Sequence, residues 1–201
     1  MTQALIERLR RRLAATVPGL PPSDYSYLPE GPLLAAAVLV PIVLRDTGPT
    51  VLLTQRTAHL RDHAGQVSFP GGRVEPGDAH PESTALREAQ EEIGLSPHDV
   101  ELLGRLPLFL TSTGFAVTPV VGLVRPSCDL SLDSFEVAEV FEPPLDYLLD
   151  AANHVRHEIE FRGQRHQYWA MPWQGYHIWG ATAGMLRLLH QAAHDLPFEM
   201  R

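Results

Sequence analysis

The sequence has little of several features that would assign it to a special class of protein. A single cysteine, Cys128, excludes a disulfide within the chain and fits a reducing compartment. The longest apolar run, residues 33–44, is about half of the roughly 20 residues that a membrane-spanning helix requires. No basic leader followed by an apolar run opens the sequence. Acidic residues outnumber basic ones, 24 to 16, so the net charge of -8 provides no overall basic surface for nucleic acid. We therefore expect a cytoplasmic protein that binds neither a membrane nor a nucleic acid.

The overall composition is that of an ordinary globular domain. Of 201 residues, 44% are hydrophobic and 20% are charged, which suits one domain with a proper core. Leu5, Leu9 and Leu13 recur at helical spacing and predict an amphipathic helix over residues 2–15, and the prolines that follow predict an irregular linker. We expect residues 1–32 to pack on a main domain at residues 33–195, with a tail at residues 196–201. The sequence leaves open whether the chain forms a homodimer.

Hydrophobic patterns predict interleaved strands and helices in the main domain. Residues 33–44 and 51–54 are β-type runs around a turn, and we expect them to form a hairpin buried on both faces. Further strands are predicted at residues 100–106, 117–124, 135–141, 158–161 and 167–171, the last two as a hairpin at Gly163, and helices at residues 145–150 and 181–194. This alternation indicates an α/β fold with a mixed β-sheet between helical layers.

The most informative stretch is residues 71–95, whose second half is predicted to be a helix. Ala85, Leu86, Ala89 and Ile93 recur at the spacing that forms one apolar stripe along a helix. Gly94 follows the last of them and is suited to end the helix.

Three glutamates of this helix share a different face. At about 100° per residue, Glu88, Glu91 and Glu92 fall together, with Arg87 beside them. Like charges at this spacing repel by roughly 0.2–0.5 kcal/mol per pair unless a cation binds, and oxygen ligands select a hard cation such as Mg²⁺ or Mn²⁺. A solvated acidic face is the ordinary alternative. The double glycine at residues 71–72 favours a site, because it allows backbone to approach a ligand such as a diphosphate bridged by divalent ions.

These residues resemble the signature of the Nudix hydrolases, G-x5-E-x7-R-E-U-x-E-E-x-G-U, in which U is apolar. Gly72 matches the first glycine, and the right-hand half is matched in full by Arg87, Glu88, Ala89, Glu91, Glu92, Gly94 and Leu95. Asp78 stands where the family usually has glutamate, and the gap from Asp78 to Arg87 is one residue longer than the pattern. A loop before the helix absorbs one residue at little cost.

The resemblance implies an α/β/α sandwich and a metal-dependent hydrolase of diphosphate bonds. The implied ligands of Mg²⁺ or Mn²⁺ are Glu88, Glu91, Glu92 and the carbonyl oxygen of Gly72. Arg87 would hold the glutamates in place by an ion pair. Because only geometry decides which group takes the proton from water, the general base is left open between Glu91, Glu136 and Glu139.

The segment immediately upstream, residues 52–72, resembles the signature of the coenzyme A pyrophosphatase branch of the same family, L-L-T-x-R-[SA]-x3-R-x3-G-x3-F-P-G-G. The matching residues are Arg56, Arg61, Gly65, Phe69, Pro70, Gly71 and Gly72. Thr57 replaces Ser or Ala, and residues 111–121 and 178–183 resemble later segments of the branch. Independently of the resemblance, two guanidinium groups on one loop are suited to clamp a substrate with several phosphates. Arg56, Arg61 and Phe69 are therefore the candidate substrate-binding residues.

The predicted activity is hydrolysis of coenzyme A, including acyl forms, to 4'-phosphopantetheine and 3',5'-ADP. The same metal chemistry would serve ADP-ribose or a dinucleotide. A catalytically silent Nudix-like binding module would be marked by loss of the signature glutamates, and none is missing. The histidines at positions 59, 63, 154, 157 and 166 lack the spacing of a zinc site. An aromatic side chain near the cleft could stack on adenine, and the candidates are Trp169, Trp173, Tyr176 and Trp179.

Overall fold

The computed structural model describes residues 2–15, 31–59, 63–161 and 164–199. Within these ranges the elements follow in the order α1 (Thr2–Ala14), β1 (Leu34–Arg45), β2 (Gly48–Val51), β3 (Leu53–Arg56), β4 (Val67–Ser68), β5 (Gly71–Arg73), α2 (Pro81–Ile93), β6 (Val100–Arg105), β7 (Phe109–Leu110), β8 (Phe115–Val124), β9 (Val137–Phe141), α3 (Leu145–Leu149), β10 (Val155–Phe161), β11 (Gln164–Trp173), β12 (Tyr176–Trp179) and α4 (Gly180–Ala193).

Strand β1 is the centre of the fold because its apolar side chains face both sides of the sheet. Val40 and Ile42 belong to one core cluster and Leu39 and Val43 to another, and all four are at most 1% exposed. β1 pairs in parallel with β8, while β2 and β5 pair with β1 in the antiparallel sense. β6 and β7 add antiparallel to β8, which gives a mixed six-stranded sheet.

Helices cover both faces of this sheet. On one face, the apolar stripe of α2 packs against Leu39 and Val43 through Ala85, Ala89 and Ile93. On the other, the core combines α4 and α1 through Met185, Leu186, Leu189, Leu9 and Leu13. The predicted α/β/α arrangement with a mixed sheet is therefore confirmed. In the described part of the chain, no helix is long and apolar enough to cross a membrane.

Two smaller sheets complete the fold, and one of them carries the segment that precedes α2. This sheet has the order β4-β3-β9, and the other has the order β10-β11-β12. β3 pairs with β4 at Thr54 and Ser68 and with β9 at Leu53 and Phe141. Since β4 leads directly into β5, which contacts α2, Arg56 at the end of β3 is brought toward the acidic helix.

The prediction of a hairpin between residues 33–44 and 51–54 is wrong for its second strand. β1 pairs instead with Gly48–Val51, and Leu53–Arg56 belongs to the smaller sheet. The ladder ends where Leu52 meets Pro41, because proline has no N–H to donate; the Pro41 carbonyl still accepts from the Leu52 N–H at 3.0 Å.

Most other predicted elements are confirmed within one to three residues. The three helices outside residues 71–95 appear as α1, α3 and α4, and the later strands as β6, β8, β9, β10 and β11. The sequence did not predict the short strands β4, β5, β7 and β12, which carry too few residues to show a period. The proline-rich linker and the turn at Gly163 lie outside the described residues.

Candidate active site

Helix α2 has well-defined ends, which fix the position of its acidic face. Pro81 lies in the first turn, where a missing N–H leaves no helical hydrogen bond unmade. Gly94 adopts a left-handed conformation with φ 69° and donates its N–H to the carbonyl of Gln90. The predicted helix and its end at Gly94 are confirmed.

The loop after β8 is tied to the C-terminal end of α2. A Cβ atom on Gly94 would lie 2.8 Å from the nitrogen of Ser131, so glycine also permits this close approach. The N–H of Ser131 donates to the carbonyl of Ile93 at 2.9 Å, and that of Asp133 donates to the carbonyl of Glu92 at 2.9 Å. These bonds satisfy carbonyls that the helix leaves unpaired, and they hold residues 131–133 against it.

The three glutamates differ in exposure. Glu92 is only 6% exposed and the side chain of Glu88 is 18% exposed, whereas the side chain of Glu91 is 59% exposed. The N–H of Gly71 donates to Oε2 of Glu92 at 3.3 Å. Burial raises the pKa of Glu92 to about 8, because the loss of hydration outweighs the attraction of Arg56. Burial likewise raises the pKa of Glu88. The environment of Glu88 and Glu92 therefore favours binding of a proton or a cation to these two carboxylates.

The glycines of β5 bring backbone directly against these carboxylates. A Cβ atom on Gly72 would lie 2.4 Å from Oε1 of Glu88, so any side chain there would overlap with that carboxylate and displace it. Gly72 faces Ala37 of β1 as a hydrogen-bonded pair, since the ladder bonds on either side join Leu39 N to Pro70 O and Val74 N to Ala35 O. The Gly72 carbonyl, the predicted ligand, is therefore turned toward β1. The peptide groups of Gly71 are turned away from β1, on the side of Glu92.

Arg87 joins the loop before α2 to the acidic face. Its Nε and Nη2 donate to Asp78 at 3.3 and 3.0 Å, and its Nη1 donates to Glu88 at 2.9 Å and to Glu91 at 3.0 Å. The hydroxyl of Thr84 also donates to Asp78 at 2.9 Å. Hydrogen bonding from Arg87 holds the pKa of Asp78 well below its ordinary value. The first acidic residue of the signature thus positions Arg87, and the extra loop residue does not prevent this contact.

Arg56 is a second arginine close to the acidic face. Its Nη1 lies 3.8 Å from Oε1 of Glu92, and its Nη2 lies 3.9 Å from Oε2 of Glu136. Its Nε is buried and has no hydrogen-bond partner among the described residues. Both ion pairs are long, so the guanidinium can shift toward an anion that binds beside Glu92.

Phe69 and Arg61 are the other two predicted substrate-binding residues. Phe69 is 2% exposed and belongs to the hydrophobic core, so its burial gives no support to the predicted contact with substrate, which stays a prediction. Arg61 lies outside the described residues.

The two late candidates for the general base are placed differently. Glu136 lies near the acidic helix, because Arg56 is within 3.9 Å of Glu136 and within 3.8 Å of Glu92. Glu139 is turned to Tyr176, whose pKa is raised by burial and by a hydrogen bond with Glu139. Of these two residues, the structure brings only Glu136 to the site.

The aromatic residues suggested for adenine stacking pack against other parts of the protein. Tyr176 and Trp173 stack on Phe141, with ring centroids 3.6 and 6.0 Å apart. Trp169 lies under the guanidinium of Arg187 at 3.8 Å, and Trp179 contacts Tyr168 edge-on at 5.5 Å.

The donor set fits a hard divalent cation, although no finished cation site is formed. In the part of the chain that the structure describes, no three His, Cys, Asp or Glu side chains surround a common point. Instead, Arg87 pairs with Glu88 and Glu91, while Glu92 accepts from Gly71. All the candidate donors are oxygens, the ligand type of Mg²⁺ and Mn²⁺. Because burial disfavours the ionised form of Glu92, a cation bound beside it would stabilise the carboxylate.

Comparison with known proteins identifies the class to which this fold and site belong. The NUDIX domain family model matches residues 33–161. The chain therefore belongs to the Nudix family, and it is a hydrolase of the pyrophosphatase type. Enzymes of this family generally use divalent metal ions.

Individual relatives agree with this assignment. A protein of Citrobacter koseri named "Uncharacterized Nudix hydrolase NudL" is 48% identical over 154 residues, which cover 77% of this chain and 80% of that protein. The protein of the same name from Escherichia coli K12 is 47% identical over 154 residues with the same coverage.

Solved structures resemble the fold. The Nudix hydrolase RenU of M. smegmatis superposes with a TM-score of 0.56 at 18% identity, covering 83% of this chain and 89% of that chain. A MutT/nudix family protein of Enterococcus faecalis gives a TM-score of 0.54 at 18% identity, covering 85% and 66%. At this identity the likeness shows the fold alone.

Proposed function

We propose that this Nudix hydrolase cleaves the diphosphate bond of coenzyme A and acyl-CoA with water, releasing 4'-phosphopantetheine or its acyl form together with 3',5'-ADP. The supporting observation is the position of the segment that resembles the coenzyme A branch. Its Arg56 lies 3.8 Å from the carboxylate of Glu92, and the N–H of its Gly71 lies 3.3 Å from the same carboxylate. The two ends of this segment therefore flank the buried glutamate.

The proposed cofactor is Mg²⁺ or Mn²⁺, held by Glu88, Glu91, Glu92 and a backbone carbonyl of β5. We assign that carbonyl to Gly71 in place of Gly72, because Gly72 is paired with β1. When bound, the metal polarises a phosphoryl oxygen and lowers the pKa of the attacking water.

Arg87 acts in this proposal as a positioning residue. Asp78 engages two of its nitrogens, which leaves Nη1 directed at Glu88 and Glu91. Arg87 therefore limits the repulsion between these carboxylates before a cation binds and keeps them on the same side of the helix.

We propose Glu136 as the general base. A base must lie within hydrogen-bond reach of the attacking water, directly or through one further water. Glu136 lies 3.9 Å from Arg56, which in turn contacts Glu92, whereas Glu139 is engaged by Tyr176. Glu91 is the remaining candidate, but its exposed side chain is already paired with Arg87.

The two arginines of the upstream segment receive different roles. We assign Arg56 to the reacting diphosphate, because it lies 3.8 Å from Glu92 and 3.9 Å from Glu136. The 3'-phosphate of coenzyme A is separated from the diphosphate by the ribose, so a different cation must bind it. Arg61 is our candidate for that role.

Hydrolysis of a panel of diphosphates tests the proposal. Purified protein is incubated with coenzyme A, dephospho-coenzyme A, ADP-ribose and NADH, with and without Mg²⁺, and the products are separated by chromatography. A charge-assisted contact with the 3'-phosphate should favour coenzyme A over its dephosphorylated form by roughly tenfold to a hundredfold in kcat/KM. Equal cleavage of both forms would contradict recognition of that phosphate.

Arginine variants separate the two assigned roles. Arg61→Ala should slow cleavage of coenzyme A and leave the dephosphorylated substrate almost unchanged. Arg56→Ala should slow both substrates in the same proportion. Arg125→Ala is the matched control, since the Arg125 side chain is 70% exposed and pairs only distantly with Asp99 at 3.8 Å.

A further inference from the structure

Phe135 is exposed to an unusual degree for an aromatic residue. At 64%, it is the most exposed of the large hydrophobic side chains in the described residues, and the others with high exposure are all aliphatic: Leu34, Val74, Leu102, Leu132, Val155 and Leu196. Aromatic rings gain much from leaving water, so a flat ligand that covers this ring would be stabilised by the contact.

The position of Phe135 is fixed by its backbone. Its N–H donates to the side chain of Asp133 at 2.9 Å, and its carbonyl accepts from the hydroxyl of Thr57 at 2.8 Å. Asp133 is in turn bonded to the carbonyl of Glu92, and Thr57 follows Arg56 in the chain. The ring is thus exposed on a turn that is attached both to the acidic helix and to the strand that carries Arg56.

A second ring lies beside Phe135. His59 contacts it edge-on, with ring centroids 4.8 Å apart and an interplanar angle of 61°. His59 is an exposed residue of the segment at 52–72 that flanks the active site. We call Phe135 and His59 together the aromatic platform.

The platform is close to the reaction centre. Glu136 follows Phe135 directly, so their Cα atoms are about 3.8 Å apart, and the Glu136 carboxylate lies 3.9 Å from Arg56. In a nucleotide, only the ribose separates the base from the phosphates. A nucleotide whose phosphates lie at Arg56 therefore has its base within a few residue lengths, and His59, which contacts Phe135, lies three residues after Arg56 in the chain.

We propose that the aromatic platform binds the purine base of the nucleotide half of the substrate, with the base stacked on Phe135. The inference rests on the proposed function, which supplies the adenine of coenzyme A. Stacking on an aromatic ring requires only the flat face of a base, and the phenylalanine ring provides that face without a polar group. The four other aromatic candidates are already packed against protein side chains.

Product inhibition tests this assignment, because the two products divide the substrate at the diphosphate. Loss of one base–aromatic stack by alanine substitution corresponds to about a 5- to 150-fold change in affinity. Phe135→Ala should raise KM for coenzyme A and the inhibition constant of 3',5'-ADP by the same factor within this range, with little change in kcat. The inhibition constant of 4'-phosphopantetheine should stay the same. Phe135→Trp should restore wild-type values.

Leu132→Ala is the matched control. Leu132 lies on the same loop and is 38% exposed, but it is aliphatic and has no ring contact, so its removal should change neither inhibition constant. If Phe135→Ala weakens binding of 4'-phosphopantetheine instead of binding of 3',5'-ADP, the ring contacts the pantetheine arm and the proposal is wrong. Unchanged constants for both products would also overturn it.

Binding of 5'-AMP separates this inference from the proposed function. Calorimetric titration of AMP into wild type and Phe135→Ala requires no turnover. If wild type does not cleave coenzyme A but Phe135→Ala weakens AMP binding, the substrate is wrong and the platform is correct. If coenzyme A is cleaved and the variant binds AMP as wild type does, the platform is wrong and the substrate is correct.

Discussion

In Glu92→Gln, an amide replaces a carboxylate that is 6% exposed and accepts the N–H of Gly71. Glutamine has the same shape and can keep this hydrogen bond, so the substitution chiefly removes a charge. Burial raises the pKa of Glu92 to about 8 from its ordinary value of 4.5. At pH values between 4.5 and about 8, Glu92 keeps a proton in the folded protein that it has released in the unfolded chain. The metal-free wild type should therefore lose stability as the pH rises from about 4.5 to about 8, and the variant should not.

The size of the effect follows from the same pKa difference. One pKa unit corresponds to about 1.4 kcal/mol. Ionisation of Glu92 then lowers the free energy of unfolding by about 3 kcal/mol at pH 7 and by about 5 kcal/mol above pH 8. These are upper values, because relaxation and water penetration reduce the penalty of a buried charge.

Urea unfolding in EDTA between pH 5 and pH 9, followed by circular dichroism, measures this difference. The gap between Glu92→Gln and wild type should widen until about pH 8. Glu91→Gln, the same substitution at a side chain that is 59% exposed, should follow wild type. Adding Mg²⁺ should stabilise wild type much more than Glu92→Gln, and the variant should lose at least about a hundredfold in kcat. Parallel stability curves for wild type and Glu92→Gln would refute the reasoning.

Three further predictions concern the reaction. Exhaustive treatment with EDTA should abolish hydrolysis and Mg²⁺ should restore it, as measured by initial rates; full activity in EDTA would contradict a metal requirement. Asp78→Asn should weaken the hold on Arg87 and raise the Mg²⁺ concentration needed for half-maximal rate, while KM for substrate stays near that of wild type; an unchanged Mg²⁺ titration would show that Asp78 has no positioning role. Glu136→Gln should lower kcat with little change in KM, whereas Glu139→Gln should keep the wild-type kcat; equal kcat values for the two variants would exclude Glu136 as the base.

Local patterns in the sequence were sufficient to predict the acidic helix. The apolar stripe of α2 and its end at Gly94 follow from helical periodicity, which needs no knowledge of the rest of the chain. The layer order was also predictable, because the continuous apolar run of β1 indicates a strand buried on both faces.

Features that depend on how distant segments meet were not predictable. The direction of the Gly72 carbonyl is set by the register of β5 on β1, which adjacent residues do not encode. The upstream signature suggests that Phe69 contacts substrate, but Phe69 is buried. The hydrophobicity of Phe135 suggests that it is buried, but Phe135 is exposed. The bond from Asp133 to the carbonyl of Glu92 joins residues far apart in sequence, and no local signal marks it.

The loop that carries Phe135 and Glu136 is bonded to α2 through the N–H groups of Ser131 and Asp133. Because these donors are backbone groups, exposed side chains on the loop can be exchanged during evolution without releasing it. A change of length between Ser131 and Glu136 is different, since one inserted residue would displace the carboxylate of Glu136 from Arg56. Related enzymes are therefore expected to vary the identity of residues such as Phe135 while conserving the length of the loop. Such a constraint allows the choice of substrate to diverge while the hydrolytic centre is preserved.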